Sequence, residues 1–343
     1  MMGNETVASF ENGVITFIDK DKCPLFIKRT GDIRYYLRFR IIDSSRTNSR
    51  ILKKVLSIKE DDDCLISLYS HGAVITDNYW FKPKQSKLTY EDIVFKHDSY
   101  AELSLTGNIY FFPKSPRYTP QLTLGGSYEK CWKYENNKWY LYKKGNKEEI
   151  FSEILASKIA KILGIDTAKY KYADGYIKTE NFADRYNFEP MISVAGDNDD
   201  FEHVYICLKE YGDDILKQYL KLIFFDALVN NVDRHNENCG LLRDKKSGKV
   251  IKLAPNFDNN MSLISRSTIL NLEPSKDGFI KMLNAFVKNN KEVKDLFKKV
   301  TIKELKENDL FKAINEIEIK EDENMIISFL MKRYRYLCKL FLL

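Results

Sequence analysis

No stretch of this 343-residue sequence approaches the roughly 18 consecutive apolar residues that a membrane-spanning helix requires. The opening residues, MMGNETVASFENG, lack the charged-then-apolar layout of a secretory signal, so a cytoplasmic protein is expected. Histidine is scarce: there are four, and no two lie closer than the 26 residues between His71 and His97. A multi-histidine metal site would therefore have to be gathered from distant segments. The six cysteines are scattered without a CxxC pair, which argues against both a disulfide framework and a zinc site. No internal repeat or low-complexity segment occurs. Charge of one sign is also lacking, because 55 Lys and Arg face 49 Asp and Glu. The net +6 is spread along the chain and gives no nucleic-acid footprint.

What is present is an ordinary globular composition, 44% hydrophobic and 30% charged, long enough for two or three compact units. Up to about residue 118 the pattern is mixed. Val14–Phe17, Pro24–Ile27 and Ile33–Ile42 read as strands, the last alternating through Tyr35, Leu37, Phe39 and Ile41. Ser45–Ile58 reads as a basic helix, Asp77–Pro83 holds an aromatic cluster, and Pro113, Pro116 and Pro120 mark a boundary.

From residue 121 the order changes to strand, glycine turn, strand, strand, helix, strand, strand, as expected of a lobe that clasps a nucleotide. The turn is TLGGS at 123–127, placed between Lys130–Tyr134 and an upstream partner strand. KWYLYK at 138–143 is a strong strand, and Glu148–Leu163 is a helix stopped by Gly164. Ala168–Tyr172 and Tyr176–Thr179 follow as strands. The remainder reads as helical over Asp213–Val229, Glu273–Val300, Ile302–Ile317 and Asn324–Leu343, interrupted by a hairpin of Leu241–Leu242 and Val250–Leu253.

The segment NNVDRHNENCGLL at 230–242 carries the most chemistry. Asp233 and Asn238 are five residues apart, the spacing at which a kinase catalytic loop holds a proton-accepting Asp and a magnesium-binding Asn. Asp258, in LAPNFDNN at the far end of the hairpin, offers a further hard oxygen ligand. Asp-x-His-x-x-Asn also occurs as plain capping and turn chemistry, so support must come from elsewhere. Gly125 and Gly126 let backbone N–H groups approach phosphates, although GGS equally describes a hairpin turn. Trp139, Leu141 and Lys143 share one strand face, which favours an inward Lys143, with Lys144 a rival by one residue and an ordinary exposed strand-end lysine the plainer reading. Glu153, on the next helix, is placed to pair with Lys143, or else is a solvated helix glutamate.

These segments together resemble the HipA-like serine/threonine kinases of bacterial toxin–antitoxin systems. The likeness covers about residues 121–264 and runs through TLGGSYEKCW, WYLYKKG, SEILASKIAKILGI, TENFADR, VDRHNEN and KLAPNFDNN. As in that family, the helix glutamate lies eleven residues before the helix-ending glycine, here Glu153 and Gly164. NYWFKPKQSKLTYEDIVF, within the first 118 residues, is more faintly similar to the amino-terminal part of stand-alone members.

The resemblance implies an α+β fold: a two-lobed, protein-kinase-like (HipA/phosphoinositide-kinase-like) body with an added α/β N-terminal subdomain. Its parts would be residues 1–118, a nucleotide-binding lobe at 119–185 and a mainly helical lobe with the catalytic loop at 186–343. It implies ATP and Mg2+ as cofactors. Asp233 is then the base with His235 beside it in the loop, and Asn238 and Asp258 bind metal. Thr123, Gly125, Gly126, Ser127, Lys143 and Glu153 serve the phosphates, and Thr179, Glu180, Asn181 and Phe182 form the adenine hinge. Thr123, with Ser127 as rival, matches a self-phosphorylated position. The implied partners are a protein substrate, an aminoacyl-tRNA synthetase in some members, and an antitoxin protein. No direct nucleic-acid binding is expected. DRHNEN also resembles the phosphoinositide kinases, so a lipid kinase is the alternative. A third reading is an inactive nucleotide-binding scaffold, although such a scaffold has no need of a proton acceptor at 233.

Overall fold

The computed structural model describes residues 1–108, 118–265 and 272–341. Pro113 and Pro116 of the expected boundary, and the last residues of the expected C-terminal helix, lie outside them. The chain divides into two compact units. The first comprises Met1–Lys144, Lys178–Glu189 and Leu242–Ile251, and the second Gly145–Ile177, Pro190–Leu241 and Lys252–Leu343.

The first unit opens with an antiparallel hairpin of β1 (Ala8–Glu11) and β2 (Val14–Phe17). Six short helices follow: α1 (Leu25–Thr30), α2 (Ile33–Arg38), α3 (Ser49–Val55), α4 (Asp63–Leu68), α5 (Tyr90–Ile93) and α6 (Ala101–Thr106). Two of these correct the strands expected at Pro24–Ile27 and Ile33–Ile42. Gly31, at φ 69°, ends α1, and the Asp32 carboxylate starts α2 by accepting from the Tyr35 N–H. The apparent alternation misleads because Tyr36, Leu37 and Arg40 are all buried, a helical rather than a two-residue period. Arg40 is matched inside by Asp77, with Nη1 and Nη2 each 2.7 Å from a carboxylate oxygen. Ile41, Ile42, Leu52, Leu56, Ile66, Leu103 and Leu122 form the core between these helices.

The strand expected upstream of the glycine turn is instead a 3-10 turn, Pro120–Thr123, with Thr119 capping it and Pro120 at its first position. Proline lacks the N–H that a paired strand would need there. The next strands, β3 (Lys130–Glu135) and β4 (Lys138–Lys144), pair in register from Lys130 opposite Lys143 to Glu135 opposite Lys138. This hairpin holds Trp132 and Cys131 inside.

The second unit starts with α7 (Lys147–Ile162), closed at its head by a capping box between Asn146 and Glu149. Strand β5 (Tyr170–Ala173) turns through Asp174 and Gly175 into β6 (Tyr176–Glu180), whose last residues belong to the first unit beside β4. Strand β7 (Tyr186–Pro190), which lies in the first unit up to Glu189, leads to α8 (Ile192–Ala195), α9 (Phe201–Leu208) and α10 (Asp213–Val229) of the second. Helix α10 is buried nearly all round, so it forms the axis of this unit. After it come β8 (Gly240–Asp244) and β9 (Val250–Leu253), the expected hairpin, with β8 between β7 and β9.

The helix expected over Glu273–Val300 is broken into a 3-10 turn and two helices, α11 (Gly278–Asn289) and α12 (Lys291–Phe297). Asp277 and Asn290 side chains each cap a new start. Helix α13 (Glu307–Asn315) begins five residues later than Ile302, and α14 (Glu323–Phe341) ends the described chain. Phe224, Phe297 and Phe341 pack as an aromatic cluster joining α10, α12 and α14.

Candidate active site

Each unit carries its own set of the residues singled out in the sequence. In the second unit the foundation is the end of α10. Arg333, fully buried on α14, donates from Nε to the Ala227 and Leu228 carbonyls and pairs with Asp277 at 2.7 Å. It thereby satisfies carbonyls that a helix end leaves unpaired. Asn230 then reverses the chain at φ 55°. Asn231 is held by Asp226, whose backbone carbonyl and Oδ1 accept from it at 2.9 and 3.1 Å.

The loop that follows folds around Asn238. Its Oδ1 accepts from the His235 N–H at 3.0 Å, and its Nδ2 donates to the Asp233 carbonyl at 2.8 Å. The result is a tight turn in which Asn238 is buried while Asp233 and His235 face solvent. A carboxylate so placed can meet a hydroxyl arriving from outside, and the turn fixes its backbone beforehand.

Asp258 comes from the segment after β9. Asn256 exchanges backbone hydrogen bonds with Asp166 and Ala168 at 2.9 Å, which docks the segment beside β5. Asp258 lies half-buried at φ 59°, and its N–H donates to the Tyr170 hydroxyl at 3.2 Å. Burial pushes the Tyr170 phenol well above its ordinary pKa, so it stays a neutral acceptor. The next residue, Asn259, donates its N–H to both carboxylate oxygens of Glu153 at 2.9 Å. Glu153 is fully buried, which rules out a solvated helix glutamate.

One residue that the sequence reading passed over joins these segments. Arg234 donates to Asp226, to the Asn238 and Phe257 carbonyls, and to the Asn256 and Asn259 side chains. Only its place inside the D-x-H-x-x-N loop hinted at it, since its acceptors are spread over residues 226–259.

In the first unit the glycine turn is an arch with both feet pinned. Thr123 is buried in the 3-10 turn, where its Oγ1 donates to the Pro120 carbonyl at 2.8 Å. Gly125, Gly126 and Ser127 are exposed, and Gly126 stands at φ 81°, open to a residue without Cβ. Arg46, a second residue missed in the sequence, donates to the Leu124 and Lys130 carbonyls at 3.2 and 2.6 Å. Its Nε makes no hydrogen bond among the described residues, and burial pulls its pKa down to about 10. The Gln121 side chain adds a strand-like exchange with Trp132 at 2.8 and 2.9 Å.

Lys143 is 8% exposed with its Nζ over the Tyr128 ring, whereas Lys144 is exposed. The strand alternation therefore gave the direction of this lysine correctly. Of the expected hinge, Thr179 and Asn181 are buried and Glu180 pairs with Lys138 at 2.7 Å. The Asn181 N–H donates to the Trp139 carbonyl at 2.9 Å, Phe182 meets Phe188 edge-on, and the Thr179 hydroxyl makes no hydrogen bond among the described residues.

Comparison with known proteins gives two kinds of match. The sequence model of the HipA-like C-terminal domain matches residues 122–318, more than half of the chain. Among solved structures, HipA in a complex of the Shewanella oneidensis MR-1 toxin–antitoxin system with HipB and operator DNA aligns over 100% of this chain and 99% of its own. The TM-score is 0.64 at 12% identity. The Helicobacter pylori proinflammatory kinase CtkA aligns over 62% of this chain and 93% of its own, with a TM-score of 0.50 at 19% identity. No curated protein matches the sequence. No described helix is long and apolar enough to cross a membrane.

Proposed function

The chain belongs to the HipA-like kinase family, and on that premise we propose that it transfers the γ-phosphoryl group of ATP to a serine or threonine hydroxyl of a protein. The observation that carries this is the 233–238 loop: an exposed Asp233 carboxylate on a backbone locked by the buried Asn238. Asp233 accepts the proton of the substrate hydroxyl as its oxygen bonds to the γ-phosphorus, the bond to the bridging oxygen breaks, and ADP leaves.

Asn238 and Asp258 would hold magnesium. Both side chains offer hard oxygen donors, and the half-buried Asp258 adds a carboxylate. Magnesium is commonly held by one or two protein oxygens together with substrate phosphates and water. When bound it neutralises phosphate charge. Lys143 steadies the phosphates, the Gly125–Gly126 arch offers backbone N–H groups, and Thr179–Phe182 receives the adenine. We place the protein in the cytoplasm. Its substrate would be a component of translation and its partner an antitoxin, in line with the HipB-bound neighbour.

A radiolabelled-ATP assay in cell lysate tests the reading. A labelled protein is expected. A labelled lipid would favour the phosphoinositide-type alternative, and no label at all would favour a nucleotide-binding scaffold.

A further inference from the structure

We infer that Arg234 is the positioning residue that sets the two metal-ligand segments, those of Asn238 and Asp258, relative to each other. The inference rests on the kinase reading above and names a residue through which that reading would operate. Arg234 has five N–H donors in a rigid planar fork, and all are engaged. Nη1 donates to the Asn238 carbonyl and to the Phe257 carbonyl, each at 2.7 Å. One nitrogen thus touches the backbone of one ligand residue and the residue immediately before the other. Trigonal geometry at that nitrogen keeps the two carbonyl oxygens within about 5 Å of each other.

The remaining donors fix the fork itself. Nε and Nη2 each meet a carboxylate oxygen of Asp226 at 2.9 Å, a bidentate pair on the last turn of α10. Asp226 is fully buried and the Arg234 side chain is 8% exposed, so solvent does not compete. Nη2 also reaches the side-chain oxygens of Asn256 and Asn259 at 2.7 and 2.8 Å. The fork therefore grips the metal segment on both sides of Asp258, while Glu153 holds the Asn259 N–H.

That grip accounts for the backbone at Asp258. A φ of 59° is unfavourable for a residue with a Cβ and persists only where its surroundings over-determine it. Here the residue before it, its own N–H and the residue after it are all tied. A buried ion pair adds little stability over an apolar replacement. Orientation of the ligands is the better account of why the pair is built here.

The test uses the full chain, with thermal melting as readout while magnesium is titrated at fixed ATP. Arg234→Lys keeps the charge but cannot span both carbonyls. It should raise the magnesium needed for the half-maximal ATP-induced shift by at least about tenfold, as loss of a residue that orients metal ligands does. At saturating magnesium kcat should fall about a hundredfold with little change in KM, the signature of misplacement rather than lost binding. Added guanidinium ion should partly restore the metal response of Arg234→Ala. A folded Arg234→Lys with the wild-type magnesium requirement would overturn the inference. Loss of cooperative melting in both variants would overturn it too, by making the residue a structural one. If the wild-type chain itself shows no magnesium-dependent response to ATP, it is the kinase reading that fails.

Discussion

Several single residues of the site are held by their neighbours in one fixed orientation. Asp258 is the sharpest case, because its neighbours hold this half-buried residue in a left-handed conformation. Asp258→Ala should abolish the magnesium-dependent part of the thermal shift produced by ATP, since the flanking oxygen-bearing side chains, Asn256, Asn259 and Asn260, are amides and not carboxylates. An unchanged shift would place the metal ligand elsewhere. The inward turn of Lys143 and the candidacy of Asp233, Asn238 and Asp258 were legible from strand alternation and spacing. Arg234 and Arg46 were not, because each is defined by carbonyls that only folding assembles. Arg46 reaches Leu124 and Lys130, 78 and 84 residues away, and nothing in its own segment announces that. Glu153 was legible as a candidate, but its bond to the Asn259 N–H was not, for the same reason.

At the scale of elements, the glycine arch is the part whose behaviour follows most directly from its supports. Arg46→Met removes the side-chain donor to the buried Leu124 carbonyl and one of two donors to the Lys130 carbonyl, which keeps the Ser104 hydroxyl at 2.8 Å. It should cost about 1–3 kcal/mol in a denaturant titration and raise the ATP concentration needed for half-maximal binding. ATP affinity equal to wild type in the folded variant would show that the arch holds its shape without it. The same element bears on self-modification. Thr123 is buried with its hydroxyl engaged, whereas Ser127 is exposed on the arch. After incubation with MgATP, mass spectrometry should find phosphate on one of these two, and modification of Thr123 would require the 3-10 turn to open. The added charge would repel ATP's phosphates and switch the enzyme off. No phosphate on either residue in an active preparation would remove this regulation. Elements were legible where periodicity was long, as in α7 and α10. They were misread where short helices follow one another. In α1 and α2 the deciding signals were Gly31 and the Asp32 cap, and the buried Arg40 imitated a solvent-facing strand position.

At the scale of the whole molecule, a HipA-like chain is expected to act on growth. Expression of the wild-type chain without a partner should slow growth, and Asp233→Asn should relieve it. Equal growth with both forms would favour a kinase directed elsewhere. The overall class was legible because the chemistry-bearing motifs lie in family order along one stretch. In the first 118 residues the strand Val14–Phe17 and a helix within Ser45–Ile58 were legible, but α1 and α2 were not, and buried polar pairs such as Arg40 with Asp77 are encoded by no local pattern. The central claim is that Asp233 is the proton acceptor in phosphoryl transfer, and one comparison tests it most directly. Purified wild-type and Asp233→Asn chains are assayed with labelled ATP, magnesium and a substrate protein, alongside nucleotide-binding measurements. Asn keeps the size of the side chain but cannot take the proton, so transfer should fall about a hundredfold or more while ATP affinity stays within a few-fold. Transfer by Asp233→Asn at the wild-type rate would contradict the account.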